Sequence, residues 1–191
     1  MGIGTVIVLG VLLAIAVYAV MIYNNLVQLK HNVSKAWANI DVLLKQRHDE
    51  LPKLVETCKQ YMKFEQETLA RVIEARSRVF SARETQDIRG LGQAEGALRA
   101  ALGNLFALAE AYPDLKTDQT FQQLQSRISA LENAIADRRE FYNESANVNN
   151  VRIEQFPDAL IASMFNFKPM PLLEFQPEER SDVDVKKLFG S

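Results

Sequence analysis

Between Val11 and Leu51 the chain has neither proline nor glycine, and that interval joins two stretches of opposite character. From Ile3 to Ile22 there is no charged residue, and Ile, Val, Leu and Met dominate. About 20 such residues match the thickness of a bilayer's hydrocarbon core. Twelve of these positions are Ile, Val or Leu, which bounds the favourable insertion term at about −4 to −7 kcal/mol. Beyond them Leu26, Leu29, Val33, Trp37, Ile40 and Leu44 recur at helical spacing and form one apolar stripe. With nothing between to break the backbone, the spacing predicts one helix that leaves the membrane and enters a folded domain. At the standard rise it runs roughly 70 Å from Ile3 to Leu51.

The run reads as a transmembrane anchor over residues 1–23, with Ile3, Val8, Leu12, Ile15 and Ile22 in lipid and Tyr23 at the interface. A cleaved signal peptide fits less well: no Lys or Arg precedes Ile3, the run exceeds an ordinary h-region, and "AIA" at 14–16 lies inside it rather than after it. No cysteine near the end of the run offers a lipoprotein site. Lys30 and Lys35 follow the anchor closely, so the positive-inside rule places the C-terminal domain in the cytoplasm.

The remainder is expected to be all-α: a long antiparallel four-helix-type bundle over 24–167, continuous with the anchor, then an extended Pro-containing tail over 168–191. Pro52 should stop or kink the first helix. Leu54, Val55, Cys58, Met62, Leu69, Val72, Ile73 and Phe80 then make a second stripe. "SARETQDIRGLG" reads as a loop, because the periodicity lapses and Gly90 and Gly92 loosen the backbone. In the third helix Gly96, Ala100, Gly103 and Ala107 leave one face almost without side-chain bulk, open to close approach by another helix. Pro113 ends it, and Thr117 or Asp118 caps the next.

The fourth helix carries the clearest pattern. Phe121, Leu124, Ile128, Leu131, Ile135, Tyr142, Ala146, Asn149, Ile153 and Phe156 follow a seven-residue repeat, with Arg138 or Arg139 at the missing step. Trp37, Ile40, Gly96, Ala100, Gly103, Tyr142 and Asn149 are the expected packing or assembly positions. Polar groups in such a seam set register more often than they bind ligands. Pro157 closes the helix, and in the tail Leu172, Leu173 and Phe175 are free to dock.

Titratable chemistry is sparse. His31 and His48 lie too far apart on one helix to share a ligand, and both read as solvated surface residues. The Glu-x-x-His pairs of di-metal bundles cannot form, since no histidine follows His48. There is no Walker-type loop, HExxH, GxSxG or cysteine pair. The lone Cys58 sits on an apolar stripe as a buried thiol. Glu65, Glu67, Glu110, Glu132 and Glu140 read as helix-surface charge. With 22 basic against 24 acidic residues, no cationic field invites nucleic acid. No catalytic, cofactor-binding or metal-binding residue is assigned, and no cofactor is expected.

Five segments, in order, resemble the LemA family of bacterial membrane proteins: "YNNLV" at 23–27, "AWANIDVLLKQRHDELPKLVETCKQY" at 36–61, "EAYPDLKTDQTFQQLQ" at 110–125, "LENAIADRREFYNESANVNN" at 131–150 and "IEQFPDALIA" at 153–162. The resemblance implies an N-terminal anchor followed by a long antiparallel bundle, and brings no catalytic residues. It also implies membrane work, since members are often encoded near a membrane metalloprotease and some relatives accompany internal membrane formation. Phe64 stands where relatives often carry His, Lys53 where Asn is usual, and Cys58 in place of an aliphatic residue. The expectation is a non-enzymatic single-pass protein that self-assembles into a homo-oligomer and organises or shapes the membrane. The alternative is a regulatory module for a membrane protease, sensor or other effector.

Overall fold

The computed structural model describes residues 2–174, so Phe175 and the tail beyond it lie outside the described residues. Among the described residues there are six helices and no strand: α1 (Ile3–Tyr61), α2 (Gln66–Glu84), α3 (Ile88–Ala109), α4 (Pro113–Thr117), α5 (Gln119–Glu154) and α6 (Asp158–Met164). The fold is all-α, and the helix that carries the apolar run is the same one that carries the first bundle stripe. The described residues divide into two compact units: those up to Asn39 with Glu140–Leu172, and Ile40–Arg139 with Leu173 and Glu174.

In the second unit, Arg47 of α1 meets Glu132 of α5, while Tyr61 meets Asp118, so the two helices run antiparallel. Against α2, Arg76 meets His48 and Arg83 meets Asp41, again antiparallel. Ile40, Leu44, Leu51, Leu54, Cys58, Val72, Val79, Leu91, Leu98, Leu105, Phe121, Ile128 and Ile135 fill the core.

Pro52 neither stops nor ends α1, which continues to Tyr61. A proline removes the N–H that would reach the carbonyl four residues back, here His48. That carbonyl is served from outside: Arg76 Nε of α2 donates to it at 3.0 Å. Burial of Leu51, Leu54 and Val55 around the proline holds the helix on the core. The break falls instead at residues 62–65, inside the seven-residue gap that separates Met62 from Leu69 in the stripe. Tyr61 donates to Asp118 and Tyr112 donates to Glu65, which pins the turn from both sides.

The expected loop over 81–92 shrinks to Thr85–Asp87. Gln86 takes a left-handed backbone (φ 52°), and Asp87 caps α3 by accepting from the Gly90 amide at 3.0 Å. Gly90 and Gly92 are therefore helical. Gly92 is required by close approach, since a Cβ there would stand 2.6 Å from the Glu174 carbonyl oxygen. Asp118 caps α5 by accepting from the Phe121 amide at 2.8 Å, a bond that holds its carboxyl below the usual range; the Tyr61 hydroxyl adds to the effect.

Candidate membrane-proximal site

Two places hold polar groups in unusual settings, one in each unit. In the second, Arg47 is 1% exposed and bridges Glu95 of α3 and Glu132 of α5. Burial pushes the guanidinium's pKa down, and the two carboxylates outweigh that and raise it. Arg99 stands 3.7 Å from the other oxygen of Glu132, and Glu50, also buried, meets Lys53 and Arg127 at 3.3 Å. Glu132 is thus a structural ion-pair partner rather than plain surface charge. Arg47 escaped notice in the sequence, yet the stripe points to it: it fills the step between Leu44 and Leu51. In α5, Arg139 fills the corresponding step and is buried.

His48 is half-buried rather than fully solvated. Its ring lies 4.8 Å from that of Phe80, and Nε2 lies 2.6 Å from Arg76 Nη2. Burial, then the Arg76 charge, lower its pKa. Cys58 is buried, and burial pushes its thiol up to about 12, which leaves it protonated and unreactive. Among the described residues no group of three or more His, Cys, Asp or Glu stands together as a metal could require.

The first unit contains the apolar run. Ile3, Val8, Leu12 and Ile15 are exposed, as lipid-facing residues would be without lipid, and this is the one stretch among the described residues long and apolar enough to cross a membrane. Ile22 departs from them: with Leu26 it is buried against Ala162 of α6, flanked by Ile153, Ile161 and Phe167. Tyr23 meets Phe165 at 4.7 Å and Phe167 at 6.0 Å between ring centroids. Beside these rings opens a cavity of about 440 Å³ lined by Tyr23, Lys30, His31, Asn149, Phe167 and Lys168, among others. Further along, Trp37 meets Tyr142 edge-on at 6.0 Å, and with Ile153 against the Ile22 and Leu26 cluster this makes α1 and α5 antiparallel here too. Asn149 is buried. Phe156, placed at the end of the α5 seam by its spacing, falls beyond the helix and is exposed.

The start of the tail is held at Met170 and Pro171. The Tyr142 hydroxyl donates to the Pro171 carbonyl at 2.8 Å, and Asn150 both accepts from the Met170 amide and donates to the Met170 carbonyl. Leu173 is buried, whereas Leu172 is partly exposed. On α3, Ala100 and Gly103 are exposed and Gly96 half-buried; the packed face is that of Leu91, Leu98, Leu102 and Leu105. At Gly103 no helix among the described residues approaches that face closely: a Cβ there would meet nothing within 4 Å.

An exposed apolar span continuous with a helical bundle defines an all-α, membrane-associated protein. The chain belongs to the LemA family, whose profile matches residues 36–186. It is 23% identical over 207 aligned positions to magnetosome protein MamQ 2 of Paramagnetospirillum magneticum, covering 95% of this chain and 76% of that protein. It is 28% identical over 167 positions to protein LemA of Metamycoplasma hominis, covering 86% of this chain and 74% of the relative. A shorter match, 29% over 96 positions, covers 50% of this chain and 35% of magnetosome protein MamQ of Magnetospirillum gryphiswaldense.

Proposed function

We propose that the protein is a non-enzymatic scaffold, anchored by Ile3–Ile22 in the bacterial inner membrane with its bundle in the cytoplasm, that self-assembles to organise or shape that membrane. The observation that carries the reading is α1 itself: anchor and bundle stripe share one helix, Ile3–Tyr61, with no linker segment between them. Copies joined laterally through such chains build closed or extended arrays according to the symmetry of the contact. The face of α3 that carries the exposed Ala100 and Gly103 offers a place for such a contact. Relatives named as magnetosome proteins are compatible with this reading. The polar groups that are buried serve packing: Arg47 joins three helices, and the Cys58 thiol stays protonated.

The test is the state of the full chain lifted from membranes in native-lipid particles and viewed by electron microscopy. Regular high-order particles are expected. A monodisperse monomer overturns the scaffold, and recovery of one stoichiometric foreign membrane protein in its place would favour a regulatory module.

A further inference from the structure

The unit built from the first 39 residues and Glu140–Leu172 leaves an apolar surface that its own packing does not use. Phe156 is 82% exposed, Leu160 62%, Met164 68% and Phe165 54%. Leu160 and Met164 stand one turn apart and share a face of α6. Ile161 and Ala162 instead close on Ile22 and Leu26. The only charged residue of α6, Asp158, is buried and paired with Arg152, so nothing ionised stands on the outward face. Clustered large apolar side chains of this kind mark a surface that something covers.

Position says what covers it. Ile22 ends the uncharged run, and no charge follows until Lys30. Because Ala162 packs in one cluster with Ile22 and Leu26, α6 is held at the level where α1 leaves the hydrocarbon. The rings of Tyr23, Phe165 and Phe167 gather at that same level, as aromatic side chains do at the boundary between acyl chains and headgroups. We propose that α6, with Phe156 and Phe165, is a second membrane contact that lies in the interface of the bilayer α1 crosses. A short apolar-faced helix lying in the membrane plane binds by burying its outward side chains at the headgroup and acyl boundary. A lone spanning helix can spin about its axis; a second contact off that axis stops the spin and turns one side of the unit towards neighbouring copies. The inference rests on the reading of Ile3–Ile22 as a span, and continuity with that span favours lipid over protein as the occupant.

The experiment uses the full chain in phosphatidylethanolamine–phosphatidylglycerol vesicles, with an environment-sensitive dye on Leu160→Cys, Leu12→Cys or Gln123→Cys in turn; the unsubstituted chain, with its buried Cys58, supplies the background. Quenching by bromine-bearing lipid should be several-fold stronger at position 160 than at 123, and of the same order as at 12. Quenching at 12 with none at 160 overturns the second contact and leaves the span standing. No quenching at 12 overturns both. A blue-shifted dye at 160 that lipid does not quench, and that reverts when the protein is diluted in the membrane, assigns the face to a second copy and also overturns the inference.

Discussion

Arg76 and Pro52 complement each other across two helices: the donor that Pro52 removes from α1 is replaced at the His48 carbonyl by Arg76 Nε of α2, at 3.0 Å. A helix-breaking residue is tolerated because its vacancy is filled from a neighbour. Arg76→Ala should cost roughly 1–3 kcal/mol by leaving that carbonyl unpaired. In a Pro52→Ala background, where an amide returns to the ladder, the same change should cost clearly less. Chemical denaturation of the four proteins of this cycle measures the coupling, and strict additivity would sink the account.

The same arginine also bears on a proton. The His48 pKa is held below its ordinary value, first by partial burial and then by the Arg76 charge beside it. A lowered folded-state pKa means that the unfolded chain binds the proton more readily. The stability tied to neutral His48 is therefore complete above about pH 6.5, and is lost as pH falls through the lower folded value. A proton NMR titration should place the His48 ring below 6.5, and Arg76→Ala should move it up.

Removal of Arg47 should be among the most damaging single changes in the chain. Arg47→Met leaves Glu95, itself 5% exposed, as an uncompensated buried charge, with an expected cost of about 3–5 kcal/mol. Adding Glu95→Leu to Arg47→Met should recover much of that loss, which thermal unfolding of the two variants would show.

Gly92→Ala places a methyl carbon 2.6 Å from the Glu174 carbonyl oxygen, too close for both to stay. Either the tail or α3 must yield. Hydrogen exchange should show faster exchange around Leu173 and little change at Leu98 or Leu105.

Gly103 gives the opposite result, because its surroundings are open. Gly103→Ala should stabilise the isolated chain by roughly 0.5–1 kcal/mol through helix propensity alone. Gly103→Leu should leave the fold intact but reduce particle size in native-lipid extracts if the small face of α3 joins copies. Unchanged particles would move the contact elsewhere.

What could be read from the sequence was whatever depends on local periodicity. The lack of any breaker from Val11 to Leu51 announced α1, and the heptad from Phe121 announced α5 together with its buried arginine step. Features that depend on a partner far along the chain stayed hidden. Nothing near Pro52 reveals that Arg76 will serve its helix, and nothing near Gly92 reveals that Glu174 will lie against it. Residues 62–65 contain neither Gly nor Pro, so the turn there shows only as a gap in a stripe. Arg47 was legible in principle, as a charged residue at a step where the pattern calls for leucine.

The hold on the tail carries one more consequence. Asn150 grips both main-chain groups of Met170, as a neighbouring β-strand would, and so reads backbone instead of side chain. Read alone, such a grip would accept almost any peptide in almost any alignment. Pro169 and Pro171 remove that ambiguity, since neither has an N–H to offer, and within 169–171 only Met170 can satisfy the amide. The two prolines thus act like the blank teeth of a key: by having nothing to give, they leave Met170 as the one residue of 169–171 on which the grip can close.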